Sequence, residues 1–342
     1  KMSSIPQKLT DLCKEAEAKG RHATIGGVAL LSRPDDLRSL LTDEASFDKG
    51  GEIWKAVADL IGANSLITMP AVTAEQHAAW SQARAQFSRR VDMLSETALS
   101  AASIRFARSI ERKLVRHSAL VDLETEVLKY TGEVIAGLWD IDQATMAEVL
   151  PRIHLAIGGT VRQMIGSLLP APVGKLIQPR TFKRVCSELR ELLGDRHDEL
   201  CTAMAAGRDT VGAALCWHLL RDREEGESIK SPARTIAMYP PIWFLPRRAT
   251  KATTISTGTI KAGQLVLLLP YAAVRIHPTA ELLAFGYGPR RCAGARPALR
   301  MLAAAAAAVT HLEFNPHGDR SPVGRITLWP KDTKSYVRRV IP

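Results

Sequence analysis

Between Phe285 and Gly294 the order Phe-Gly-Tyr-Gly-Pro-Arg-Arg-Cys-Ala-Gly sets Cys292 behind two arginines and among three glycines, directly before a helix-forming run, Ala295 to Thr310. Glycine tolerates positive φ and lets backbone approach a flat ligand closely, and Pro297 suits the first turn of a helix. The cysteine is therefore expected in a tight loop at a helix N-terminus. Unpaired N–H groups and the positive dipole end favour thiolate over thiol there, which predicts a depressed pKa and a metal-ligating sulfur. A second constellation, Ala206-Gly207-Arg208-Asp209-Thr210, interrupts a long helical pattern. Glycine inside a helix costs about 1 kcal/mol relative to alanine, and an acid beside a hydroxyl is equipped to pass protons. A third pair, Trp80 and Arg84, lies four residues apart and so on one helical face, where an indole N–H and a guanidinium fork suit carboxylates. His77 with Ser81 is a competing register of that pair. Each constellation also has a plain alternative: a buried cysteine in a glycine turn, an Asp-Thr pair in a kinked helix, a core tryptophan beside a solvated arginine.

The elements that must position these groups are mostly helical. Lys8 to Ala18 reads as a helix, His22 to Val28 as a hairpin-like turn, and Pro34-Asp35-Asp36 as a helix start. A long amphipathic pattern covers Thr73 to Leu99 and carries His77, Trp80 and Arg84. Further helices are expected over Val121 to Asp140, Gln143 to Leu150 and, nearly continuously, Thr181 to Leu219. Three prolines and a glycine between Pro170 and Pro179 break the periodicity, and Met164, Ile165, Leu168 and Leu169 before them could line a lipophilic entrance or belong to the core. Ile255 to Val274 reads as an alternating strand pair around Lys261-Ala262-Gly263.

With 342 residues, 46% of them hydrophobic, the chain can bury a large core, and its alanine-rich stretches favour helix. A net charge of +11 without zinc-finger or aromatic-basic spacing points away from nucleic acid and toward an acidic protein partner or simply a soluble basic surface. The five cysteines are scattered and odd in number, which fits a reducing compartment; Cys201 and Cys216 read as core hydrophobes. The N-terminus carries no secretion signal and no apolar stretch is long enough to span a bilayer, so no membrane anchor and a cytoplasmic location are expected.

The pattern F-G-x-G-x-R-x-C-x-G resembles the haem-ligand signature of the cytochrome P-450 superfamily at every fixed position. The resemblance implies a mainly α fold with small β-sheets over residues 1–342 as a single domain, with a small N-terminal β region at about 20–30 and a C-terminal haem-loop region at 230–342. It implies haem b with Cys292 as axial thiolate, Phe285, Gly286 and Gly294 shaping its loop, and Arg290 as a propionate partner. Trp80 and Arg84, with His77 as the alternative, match the family's W-x-x-x-R propionate pair. Met238 to Ala249 is similar to the segment along the haem edge, with Arg247 as a further propionate arginine and Arg248 as runner-up. Ile242, Trp243 and Phe244, together with Ala206 and Gly207, would border the substrate, and Asp209 and Thr210 would relay protons.

Two features depart from the family. Aligning on Tyr239-Pro240-Pro241 puts Arg234 and Ala237 where a Glu-x-x-Arg pair belongs, and His277-Pro278 runs almost straight into Leu282 to Phe285, leaving out the usual meander. A buried ion-pair network that loses one member strands a charge, so joint loss of both features is self-consistent. The resemblance thus describes a trimmed member. It implies a monooxygenase inserting one oxygen atom from O2 into a lipophilic small molecule, a natural-product and possibly terpenoid intermediate, with a ferredoxin-type electron donor on a basic proximal face. The alternatives are a haem enzyme with peroxide-driven or non-redox chemistry, and a non-catalytic helper protein.

Overall fold

The computed structural model describes residues 4–49, 52–114, 118–167, 180–221, 231–278 and 283–340. Helix α1 (Ile5–Ala18) leads into the hairpin β1 (Ala23–Ile25) and β2 (Val28–Leu31), turned by Gly26 and Gly27 at φ +54° and +84°. Helix α2 (Pro34–Thr42) starts on Pro34 with Asp35 and Asp36 in its first turn, where they meet the positive dipole end. There follow β3 (Phe47–Asp48), α3 (Glu52–Ile61), α4 (Ala74–Asp92), α5 (Glu96–Glu111), β4 (Ser118–Asp122), α6 (Leu123–Leu138) and α7 (Gln143–Ser167). After α8 (Arg180–Leu193) and the short α9 (His197–Thr202), a π-helical turn over Ala203–Arg208 runs into α10 (Asp209–Arg221). The last part holds α11 (Pro232–Met238), β5 (Leu245–Ala249), β6 (Thr253–Ile255), β7 (Gly258–Ile260), β8 (Leu265–Leu268), α12 (Pro270–Ile276), α13 (Ala295–Ala308), β9 (Leu312–Pro316), β10 (Pro322–Gly324), β11 (Leu328–Pro330) and β12 (Lys334–Arg339). The mainly α architecture with small sheets is the expected one.

Two sheets fix the ends of the chain to its middle. One has strand order β1-β2-β8-β5-β3, with β2 and β8 parallel, and the other β4-β12-β9. Helix α10 runs through the core and is apolar all round: Ala213, Ala214, Leu215, Cys216 and Trp217 are fully buried, as a central helix requires. It packs against α6 so closely that a methyl added at Gly212 would sit 3.0 Å from Leu128 Cδ2. One apolar cluster joins α5, α6, α10 and α13 and takes in Phe285 from the cysteine loop, so the loop is anchored to the same core as the helix that carries Thr210. Truncating one of its fully buried leucines, Leu215→Ala, is worth about 3–5 kcal/mol.

Several expected boundaries move. The pattern over Thr73 to Leu99 is two helices: Thr73 and Gln76 form a capping box on α4, and Ser95 caps α5 by accepting from the Ala98 N–H. Val121 and Asp122 belong to strand β4, not to a helix, because β12 pairs with them from the other end of the chain; Asp122 then caps α6. The helix from Gln143 continues through Pro151 to Ser167, held by the buried Val149, Ile153 and Ala156 on one face. The stretch from Thr181 is also broken at Gly194, which takes φ +52°. Around Lys261 to Gly263 there is a turn, but β7 and β8 do not pair: β6–β7 is the hairpin, and β8 lies between β2 and β5. Cys201 and Cys216 are buried as expected. The expected break at Pro170 to Pro179, Leu168, Leu169 and the side chain of Ile165 lie outside the described residues; Met164 is buried beside Ala56.

Candidate functional site

The cysteine loop is shaped by two of its three glycines. Gly286 and Gly288 take φ +72° and +67°, and a side chain at Gly288 would meet Thr42 Cγ2 at 2.6 Å. Gly294 has ordinary φ and serves as the N-cap residue of α13; its virtual Cβ lies 3.8 Å from Cys292 Sγ, so its missing side chain keeps space beside the sulfur. The loop closes through Cys292 N–H to Phe285 O at 2.8 Å and Gly286 N–H to Leu283 O at 2.9 Å.

Cys292 is the exposed one of the five free cysteines. The residue as a whole is exposed, yet enough protein surrounds the sulfur that desolvation raises its pKa above the ordinary thiol value, opposed by the Gly294 N–H and the charges of Arg84 and Arg291. The depressed pKa expected from the helix N-terminus is therefore not found in the chain alone. The cysteine lies ahead of the N-cap, and burial outweighs the dipole.

Beside the loop the structure gathers the residues that the sequence singled out for carboxylates. Arg290 stacks over the Trp80 ring at 4.6 Å, Arg84 lies over the same ring at 5.4 Å, and the His77 ring is 5.8 Å from it but exposed. The Trp80 indole N–H donates to Leu66 O at 3.2 Å, so its hydrogen bond goes to backbone. Arg290 is held by Glu44, Nε to Oε1 at 2.6 Å and Nη2 to Oε2 at 3.0 Å. Strand alternation along β5 turns Arg247 inward, 5% exposed, and Arg248 outward to Gly263 O. Arg247 lies over the Trp54 ring at 5.7 Å, and Lys49 over the same ring at 5.2 Å.

This cluster is short of negative charge. Desolvation and the neighbouring Arg290 bring Arg247 down to about 10 against the pull of Glu44 and Asp48. Lys49 is pushed well below its ordinary value by desolvation, then by Arg247 and Arg290. Desolvation works to raise the Glu44 carboxyl, but the Arg290 hydrogen bond and charge, with Lys49 and Arg247, hold it below the usual range. Sequence reasoning missed Glu44, Lys49 and Trp54. The signal lies in strand register: Asp48 opposes Arg248, so Lys49 emerges beside Arg247.

The other constellation sits on the central helix. From Leu200 to Leu220 only Ala205, Ala206, Gly207 and Thr210 escape full burial, so they border open space. The kink is the π turn, a distortion common at functional sites, and a side chain at Gly207 would press on Ile135 Cδ1 at 3.1 Å. Thr210 Oγ1 donates to Ala206 O. Asp209 does not reach into that space: it accepts from Arg208 Nη1 at 2.8 Å, and desolvation raises its pKa despite Arg208 and His154. Arg208 in turn lines an open groove of about 1380 Å³ between α5, α6 and α7, with His154, Glu124 and Lys129.

In the third segment Ile242 is half-buried, while Trp243 is core: its N–H donates to Arg325 O at 2.8 Å and it packs with Trp217, Tyr239 and Leu328. Phe244 packs toward Ala56 and Met164. Where the ion-pair network was expected to be missing, Tyr239 stacks on Trp217 at 4.1 Å and Arg275 lies over Tyr239 and Tyr271 at 4.8 and 5.2 Å, while Arg234 is exposed.

No protein-family model matches the chain. Among characterised proteins it is similar to pentalenene oxygenase of Streptomyces avermitilis, 23% identical over 86% of this chain and 84% of that one. It is likewise similar to cyclooctatin synthase of Streptomyces melanosporofaciens, 23% identical over 72% of this chain and 67% of that one. A six-coordinate cytochrome P-450 structure from Thermus thermophilus superposes with a TM-score of 0.71 at 18% identity, covering 99% of this chain and all of that one. Another from the same species gives 0.71 at 20% identity over 98% and 96% of the two chains. The heme domain of a further cytochrome P-450 gives 0.72 at 15% identity over 100% and 95%.

Proposed function

We propose that the chain is a member of the cytochrome P-450 superfamily, as its likeness to two curated relatives and to P-450 structures supports, that it binds haem b through Cys292, and that it acts as a monooxygenase on a lipophilic small molecule. The residues present fit the group. Among the described residues no cluster of three metal-ligating side chains accompanies Cys292, so a metal held there brings its own donors, as a porphyrin does. The surplus of cations at Arg84, Arg247, Arg290 and Lys49 is suited to the two propionates. The observation that carries the reading is this pairing of the one exposed cysteine with an anion-poor basic cluster beside it.

Haem bound through a thiolate supplies activation of dioxygen. The chain's own residues have separate tasks. Cys292 provides the sulfur, and a bound cation would lower its pKa from the raised value of the empty loop. Thr210 holds its hydroxyl at the half-buried edge of the π turn, with its proton on Ala206 O. Asp209 is held by Arg208 away from that edge, so of the two residues expected to relay protons Thr210 is the one whose hydroxyl borders the space. Ala206, Gly207, Ile242 and Phe244 offer an apolar border for a substrate, whereas Trp243 supports that border from the core.

The names of the two relatives support a natural-product substrate of terpenoid type. A ferredoxin-type donor is the reading for electron supply, since the chain carries a net charge of +11. The test is turnover of the haem-loaded protein with a reductase system and a terpenoid panel under ¹⁸O2. Incorporation of one labelled oxygen into product supports the monooxygenase reading, and product formed without label contradicts it.

A further inference from the structure

The cation cluster contains two residues outside every sequence motif, Glu44 and Lys49, and they work in opposite directions. Arg290, with 7% of its side chain exposed, spends its fork on the chain itself. Nε and Nη2 meet the Glu44 carboxylate, Nη2 also meets Met69 O at 2.8 Å, and Nη1 meets Leu66 O at 3.4 Å. A guanidinium has five N–H donors in a fixed plane. With four contacts made, a second carboxylate takes the fork only by displacing Glu44. Lys49 and Arg247 are placed differently. Their hydrogen bonds go to the backbone oxygens of Ile67 and Pro246. Asp48 adds a weaker pull on Arg247 than Glu44 does. Lys49, Arg247 and Arg290 outnumber Glu44 and Asp48, the carboxylates that act on them, so the cluster keeps a surplus of positive charge for a carboxylate ligand.

Resting on the haem reading above, we propose that Glu44 is a built-in competitor for the cofactor's carboxylates and Lys49 is one of their ligands. In the haem-free chain Glu44 satisfies Arg290 and ties the end of α2 to the cysteine loop. On loading, one carboxylate of the cofactor edge goes to Lys49 and Arg247, and the other contends with Glu44 for Arg290. Affinity for the dianionic edge is then set by two residues acting against each other, one drawing it in and one holding it off.

The experiment titrates haem-free protein with haemin and, separately, with haemin dimethyl ester, whose carboxylates are blocked, following Soret absorbance and the quenching of tryptophan emission. The wild type binds haemin about tenfold tighter than the ester. Glu44→Gln lowers the haemin Kd about three- to tenfold, Lys49→Met raises it about tenfold, and both leave the ester Kd within about twofold. If Glu44→Gln does not fold, Glu44→Asp, which keeps the charge but withdraws it by one methylene, must show a smaller tightening. Weaker haemin binding by Glu44→Gln, or equal effects of Lys49→Met on haemin and ester, overturns the proposal. Equal wild-type affinity for haemin and ester overturns it while leaving the haem reading intact. A wild type that binds neither removes both.

Discussion

Arg208 and Asp209 face each other at 2.8 Å with 8% of either side chain exposed, while Lys49, Arg247 and Arg290 beside the cysteine loop outnumber the carboxylates of Glu44 and Asp48. Both regions hold buried charge. The first is complete within the chain, and the second is not. A buried pair stripped of one partner leaves an uncompensated charge, so the pair on the central helix behaves as structure. A buried excess of one sign is a strain that a ligand of opposite sign relieves, so the loop cluster is suited to an anionic ligand.

The largest expected effect separates these two behaviours. Arg208→Met leaves Asp209 buried without its hydrogen-bonded partner and lowers unfolding free energy by about 3–5 kcal/mol, read from urea titration. A loss below about 1 kcal/mol would mean the pair is no more integral than the cluster. Next, Thr210→Ala slows product formation about a hundredfold at unchanged haem content if the hydroxyl handles protons. Equal rates would place Thr210 outside the chemistry. Within the loop, Gly288→Ala forces a left-handed φ and a clash with Thr42, costing about 1–3 kcal/mol. Gly294→Ala, at ordinary φ, leaves haem-free stability within about 0.5 kcal/mol while hindering haem loading. Thermal melts of the two variants check the contrast.

The smallest effect is the most specific to the surplus cluster. Lys49 has a folded pKa below its unfolded value near 10.5, so the folded state holds fewer protons and haem-free stability rises with pH across that interval. Arg247 extends the rise from about 10 upward. Lys49→Met stabilises the haem-free protein by up to about 1 kcal/mol at pH 7 and flattens the lower part of the rise. A Lys49→Met protein less stable than wild type at pH 7 would contradict a cation surplus.

Local features were legible where the physics is local. The glycine loop around Cys292, the start of α2 on Pro34-Asp35-Asp36 and the shared face of Trp80 and Arg84 each need only a few neighbouring residues. Glu44, Lys49 and Trp54 were not legible, because β3 reaches Arg247 only through pairing with a strand some two hundred residues away. Strand β4 was hidden for the same reason, its partner β12 lying near the other end of the chain. The thiol pKa went the other way because a dipole is visible in sequence and desolvation is not. Asp209 was expected to relay protons with Thr210; Arg208 draws it aside, although neighbours in a helix point about 100° apart.

The reduced carbon-monoxide difference spectrum tests most directly whether the Cys292 sulfur is the iron ligand. The wild type is expected to show the thiolate-type band and Cys292→Ser to lose it while retaining a haem absorbance. A wild type without that band, or a Cys292→Ser protein that keeps it, would contradict the assignment.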